Sequence, residues 1–234
     1  MSGGTISDRC ADIISDYIAL ATALKEREEV SCNEDELPPA LPADVKSFYY
    51  EAKRLVPNVE LNFAQIGFSG KKDAVEEVMR QLKGVQDTGN LIITIKTTGS
   101  YENGKKTDRT MDTVFGYIEP KCGSPVQLEL IVVPEREKYE TYHERSADMC
   151  VSGAIHYAFQ VEEEREINLM VMPLISGKNP RAELLQVGSI SQNGFNAAYA
   201  YLLLIEENIV VEFTWSSPSM KPSMIGILSL LMGK

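Results

Sequence analysis

The chain has 234 residues, 44% of them apolar and 24% charged, and 23 Lys+Arg against 34 Asp+Glu give a formal charge of −11. A chain of this size and composition can bury a sizeable core without staples, and it lies well away from the low-hydrophobicity, high-charge range of disordered chains. The negative field repels phosphate backbones and anionic lipid surfaces at long range, so binding to either needs a local basic patch.

Along the chain, Ile6, Cys10, Ile13, Ile14, Tyr17, Ile18, Ala21 and Leu24 recur at three- and four-residue spacing and predict an amphipathic helix, capped by Thr5 or Ser7 with Asp8 in its first turn. Residues 31–42 carry three prolines and the acidic run Glu34-Asp-Glu36, the composition of an extended, solvated linker. Val45, Phe48, Tyr49, Ala52 and Leu55 predict a second helix closed by Pro57. A strand over residues 59–68 and a helix carrying Ala74, Val75, Val78, Met79 and Leu82 follow, with Gly84 as its C-cap. From residue 91 the pattern turns β-like, with strands predicted over 91–98, 110–118, 126–133, 154–161, 167–172, 184–191, 197–205 and 209–215. Short connections favour antiparallel pairing, and Asn103-Gly104 and Glu206-Glu207-Asn208 mark the two clearest hairpin loops. Ile225, Leu228, Leu231 and Met232 suggest a short terminal helix.

The expected fold is therefore α+β. N-terminal helices precede a mostly antiparallel β-rich body, a sheet or sandwich, with one or two further short helices. Residues 1–42 form a helical arm and linker, and residues 43–234 form the β-rich domain.

Cys10, Cys32, Cys122 and Cys150 are scattered without CxxC spacing and are expected to be reduced thiols. Met1 is followed by Ser-Gly-Gly-Thr rather than a basic start and an apolar run, and the longest apolar stretches, 197–205 and 225–232, fall short of the ~20 residues that span a bilayer. A cytoplasmic or nuclear, non-secreted protein with no transmembrane segment is expected.

Gly67-Phe-Ser-Gly-Lys-Lys72 lies between a predicted strand and helix, where a nucleotide loop would sit, but Gln65 stands where a Walker loop needs glycine and Lys72 where it needs a hydroxyl. What remains is an anion site at a helix N-terminus, with Ser69, Gly70, Lys71 and Lys72 as its residues. Nucleophilic catalysis would need Ser or Cys near a histidine, and the chain offers only His143 and His156; Cys150 lies between them in sequence, but neighbouring positions do not make a dyad. His143, Glu144 and Glu140 offer metal donors without completing a metal motif, so no metal and no cofactor are expected. Glu162-Glu163-Glu164-Arg165-Glu166 reads as a solvated hairpin tip between two strands. Lys96, Lys105, Lys106 and Arg109 cluster on the first hairpin with Tyr101 in its loop, a basic, aromatic-tipped arrangement able to grip phosphates and stack on a base.

With no catalytic constellation in view, the leading expectation is a non-enzymatic interaction or assembly protein. Its oligomerisation face would be Ile6, Cys10, Ile13, Ile14, Tyr17 and Ile18, docked on a second copy or another protein. A viral matrix- or capsid-like structural role fits this outline. The alternatives are RNA or single-stranded nucleic-acid binding through the basic hairpin, and an enzyme that carries no recognisable motif.

Overall fold

The computed structural model describes residues 7–26, 37–85, 93–97, 101–102, 105–106, 111–118, 120, 125–135, 141–192 and 195–217. Helix α1 (Asp8–Lys25) starts where Ser7 Oγ accepts from the Cys10 amide, and its buried stripe is Cys10, Ile14, Tyr17, Ala21 and Leu24. Helix α2 (Ala43–Leu55) buries Val45, Phe48, Tyr49 and Ala52. Leu37 and Leu41 in the approach to α2 are buried too, so this part of the expected solvated linker is packed.

Two units of the same plan follow. The first runs β1 (Asn62–Gly70), α3 (Lys72–Val85), β2 (Ile93–Thr97), the two-residue strands β3 (Tyr101–Glu102) and β4 (Lys105–Lys106), β5 (Met111–Ile118) and β6 (Val126–Val132). A connection then carries α4 (Tyr142–Met149) and a single 3-10 turn at Ser152–Ala154. The second unit runs β7 (Ile155–Gln160), α5 (Glu164–Ile175), β8 (Ala182–Gln192), β9 (Phe195–Leu204) and β10 (Ile209–Ser217).

One sheet contains all ten strands of the described residues, in the order β2-β5-β6-β1-β7-β10-β9-β8-β3-β4. In each unit the first strand pairs in parallel with the last, β1 with β6 and β7 with β10, and the two first strands meet antiparallel at the centre. The sheet is thus mixed rather than mostly antiparallel. Short loops join β5, β6, β8, β9 and β10 to their neighbours in sequence, but each opening strand leaves through a helical crossover and waits for the last strand of its unit to return beside it. The helices are accordingly interleaved with the strands instead of gathered at the N-terminus.

The predicted strand over 167–172 is the middle of α5. Ile167, Met170, Val171 and Leu174 are its buried face, a helical stripe that the compact run Ile-Asn-Leu-Met-Val-Met disguises. The acidic run before it is no hairpin tip. Glu166 accepts from the Glu162 and Glu163 amides and caps the helix, where carboxylates also suit the macrodipole. Helix α4 had no forecast at all, and the terminal helix expected near Ile225 lies outside the described residues.

Tyr101 and Glu102 pair with Ser189 and Gly188 of β8, although their chain neighbours belong to the opposite flank of the sheet. Only three residues separate Thr97 from Tyr101, a reach of about 14 Å over the four steps, whereas a flat sheet would hold β2 and β8 about 34 Å apart. The sheet is therefore curled. Its outer face packs Ile66, Phe68, Leu128, Leu130, Phe159, Val211 and Phe213 in one core with α1, α2, α3 and α5. Phe48 of α2 sits 6.1 Å, ring centroid to ring centroid, from both Phe159 and Phe213. The inner face sets Gln65, Glu129, His156 and Glu212 among apolar residues, and α4 lies over it, with Tyr142 packed on Tyr201 and Val210 and Ala147 on Ile131 and Val133.

Candidate metal centre

Strand alternation puts Gln65, Gly67 and Ser69 of β1 on the inner face, with Glu129 of β6, His156 of β7 and Glu212 of β10 beside them. Their positions follow the duplication. In the central ladder Gln65 faces Ala158 and Gly67 faces His156, so a two-fold axis between β1 and β7 exchanges Gln65 with His156 and Gly67 with Ala158. Glu129 is in register with Gly67, and Glu212 with Ala158, so the same axis exchanges the two carboxylates. Each unit contributes one donor from its first strand and one glutamate from its last.

Two strands intervene between β6 and β10, yet the curl brings the side chains together. One donor atom each from Glu129, His156 and Glu212 lies within 4.8 Å of the others. His156 Nε2 is 3.1 Å from Glu129 Oε2 and 3.5 Å from Glu212 Oε2. Gln65 Nε2 donates to the same two oxygens, at 2.9 and 3.1 Å.

These separations fit a shared cation. Donors at about 2.1 Å from a divalent ion are about 3.0 Å apart along an octahedral edge and about 3.4 Å apart along a tetrahedral one. A half-turn of the Gln65 amide exchanges its nitrogen for its oxygen and completes a set of four donors.

Electrostatics point the same way. His156 is fully buried, Glu212 is 4% exposed, and the two carboxylates converge away from solvent. Burial, and after it the charge of Glu129, holds the Glu212 carboxyl well above the usual carboxylate range. A site that forces a proton onto a buried glutamate is one that a cation can occupy in the proton's place.

A second shell surrounds the donors. Tyr142 Oη lies 3.5 Å from His156 Nδ1, which leaves Nε2 facing the carboxylates. The Tyr201 hydroxyl donates to Glu212 and also bonds Tyr142. His143 Nδ1 and Ser69 Oγ are 2.6 Å apart. Burial, and then the nearby His156, hold the His143 imidazole well below its usual range, so it is neutral. Glu144 closes a capping box with Thr141 and thereby fixes the helix that delivers Tyr142 and His143. Gly67 is bare because the His156 ring lies against it, where a Cβ would fall 1.9 Å from Cε1 and Nε2.

No family model matches the chain, and no curated protein matches it. Solved structures do. The chain is similar to a triple mutant of 4-hydroxymandelate synthase from Streptomyces coelicolor, with 8% identity and a TM-score of 0.36 over 72% of this chain and 51% of that one. It is also similar to a xylose isomerase-like TIM barrel/4-hydroxyphenylpyruvate dioxygenase fusion protein, with 10% identity and a TM-score of 0.35 over 74% of this chain and 29% of that one. The chain spans about half the length of the first and under a third of the second. At these values neither likeness decides what the chain does.

The expectation of a non-enzymatic assembly protein is corrected. Its premise was an apolar first helix without a partner in its own chain, whereas Cys10, Ile14 and Tyr17 are buried in the common core and Ile13 and Ile18 pack against it. The inner face also carries buried ionisable groups that a purely structural role does not require. Ile6 lies outside the described residues.

The other sequence-derived residues are dispersed. Ser69 and Gly70 end strand β1, Ser69 being engaged with His143, while Lys71 pairs with Asp148 at 2.6 Å and Lys72 with Glu76 at 3.8 Å. Lys96 is in β2, Tyr101 in β3, and Lys105 and Lys106 in β4 at the end of the sheet. Arg109 lies outside the described residues. Neither His143 nor His156 joins Cys150, and Glu144 is spent on capping. Reasoning from sequence missed Gln65, Glu129 and Glu212 and undervalued His156. Their one local signal is shared: each is a polar residue with an apolar neighbour on either side, as in Leu128-Glu129-Leu130 and Val211-Glu212-Phe213.

Proposed function

We propose that the protein is a metal-dependent enzyme, holding a divalent cation between Gln65, Glu129, His156 and Glu212 and presenting it to a small substrate with two neighbouring oxygens. The observation that carries this reading is the convergence of donors from four strands on one buried point, within 4.8 Å for the Glu129, His156 and Glu212 atoms. Four protein donors leave two positions of a six-coordinate ion for substrate oxygens. When bound, the ion supplies Lewis-acid polarisation of a substrate oxygen. One imidazole among oxygen donors is a harder set than the two-histidine, one-carboxylate arrangement of oxygen-activating iron sites, which favours Mg²⁺, Mn²⁺ or Zn²⁺ with acid–base chemistry.

The chain's own groups supply the rest. Tyr142 fixes the imidazole, and Tyr201 holds Glu212 by a hydroxyl that donates to it. His143 is the neutral imidazole nearest the centre, 6.0 Å from His156 between ring centroids, and is placed to move a proton. Gln186, opposite Tyr201 on β8, has a buried Oε1 with no hydrogen-bond partner among the described residues, an acceptor suited to a substrate hydroxyl.

Metal-stripped protein titrated with Mn²⁺, Zn²⁺ and Mg²⁺ tests this. One equivalent is expected to bind and to stabilise the fold by about 2.7 kcal/mol when the cation stands at about 100 times its Kd. His156→Ala and Glu129→Gln are expected to weaken binding by about 100-fold or more. Absence of stoichiometric binding by all three ions, or unchanged affinity in His156→Ala, would sink the proposal.

A further inference from the structure

The row of residues through Glu212 continues past the four donors. Strand register sets Gln65, Ala158, Glu212, Tyr201 and Gln186 side by side across β1, β7, β10, β9 and β8. Residues directly opposite each other in a ladder share a face, so Gln186 stands on the inner face two strands beyond Glu212. A bulge lies beside it. Leu184 is in register with Leu202 and Gln186 with Tyr201, which leaves Leu185 as an extra residue, packed with Tyr142, Tyr201 and Val210 on the same inner face.

Gln186 is 2% exposed, and its Oε1 is the only buried side-chain nitrogen or oxygen among the described residues that has no hydrogen-bond partner. Such a group destabilises the fold unless something outside the chain bonds it. The opposite flank has no equivalent. Phe115 of β5 faces Glu129 as Tyr201 faces Glu212, and the register position that matches Gln186 falls to Ile93 of β2. Of the two matching positions, only Gln186 carries a polar group.

We infer that the substrate carries a third polar group, a neutral hydroxyl that donates to Gln186 Oε1 while its two neighbouring oxygens meet the cation, an assignment that rests on the metal reading. The carboxamide is neutral and buried. One hydrogen bond offsets the desolvation of a hydroxyl, whereas an ammonium in its place would need a counter-charge as well. Two strand steps amount to about 10 Å along the sheet, and the curl draws side-chain ends on the inner face closer than that. A hydrogen bond takes up about 2.8 Å, leaving about 7 Å, or about six bonds of extended chain. The substrate class is therefore a short polyhydroxylated chain, of the size of a small sugar acid, with its chelating oxygens at one end and the third hydroxyl no more than about six bonds away.

The test uses the full chain loaded with Mn²⁺ and two series of 2-hydroxy acids of about four to six carbons, one ending in a hydroxyl and the other in a methyl group. Binding is read from the loss of proton relaxation enhancement as the acid displaces water from Mn²⁺. At the best-fitting length the hydroxyl-ended acid is expected to bind about tenfold more tightly, the worth of one buried hydrogen bond. Gln186→Leu and Gln186→Met are expected to abolish that preference while keeping Mn²⁺ affinity. Both are also expected to raise the urea midpoint of the ligand-free protein, because hydrocarbon of similar size replaces an unpartnered carboxamide. Equal binding of the two series at every length, a preference that survives in both variants, or a lowered midpoint in both overturns the role of Gln186; with Mn²⁺ still bound, each of these leaves the metal reading standing. A protein that takes up no Mn²⁺ overturns both.

Discussion

Gly67 is the residue on which the centre is most sensitive to a single atom. A methyl group there would lie 1.9 Å from two atoms of the His156 ring, and the ring is the part that can swing away. Gly67→Ala is therefore expected to lower divalent-cation affinity by about 100-fold, because the added methyl pushes the imidazole out of place, while costing about 1–3 kcal/mol of stability from overpacking. Mn²⁺ titration and urea unfolding read the two separately, and wild-type affinity in this variant would mean that the imidazole is not a donor. In sequence the same glycine sits inside Gly-Phe-Ser-Gly-Lys-Lys and resembles the start of a phosphate loop, because a strand residue made bare by a neighbour and a turn residue made bare by its own dihedrals are the same letter. Gln65 and Glu212 bond across 147 positions of sequence. No local pattern encodes such a meeting. Only a polar letter between two apolar ones was legible in each strand, and that mark is common to exposed strands.

The elements that could be read were those whose whole signal is local. Helices α1, α2 and α3 declare themselves by complete three-and-four stripes, and β9–β10 by its hairpin loop; α5 and α4 do not, one being compact and apolar, the other short and mostly polar. Where a helix goes is a different matter from whether it forms. Tyr17 decides it for α1: the ring packs tilted against Phe68, 5.6 Å between centroids, and its hydroxyl donates to the Ile66 carbonyl of β1 at 3.2 Å. Tyr17→Phe is expected to cost about 1 kcal/mol for the lost hydrogen bond, and Tyr17→Ala about 3–5 kcal/mol for the cavity. Urea unfolding of the full chain measures both. A Tyr17→Ala protein as stable as wild type would mean that α1 is not part of this core.

At the scale of the molecule, Arg181 clamps three separate parts. Its guanidinium donates to Glu207 in the β9–β10 turn at 2.6 Å and to Glu51 of α2 at 3.1 Å, and its amide donates to the Leu174 carbonyl near the end of α5. The arginine holds the Glu207 carboxyl below its ordinary value of 4.5. A depressed carboxylate contributes stability that is complete above its unfolded pKa and is lost as pH falls through the folded one. Arg181→Leu should thus destabilise the protein by about 1–3 kcal/mol at neutral pH, with the side chains 22% and 16% exposed, and the gap from wild type should close as pH falls below 4.5. Urea midpoints collected down the acid limb check this, and a gap that persists undiminished in acid would assign the loss to packing.

Among the four donors the two-fold relation is broken at one pair, with an amide at Gln65 where its mate His156 has an imidazole. Two identical halves joined about an axis would offer a bound molecule the same surroundings either way round. Here the two sides differ in charge capacity and in softness, while the carboxylates remain alike. A substrate with two inequivalent oxygens would therefore seat in one sense and not in the reverse, the amide and the imidazole telling its two ends apart.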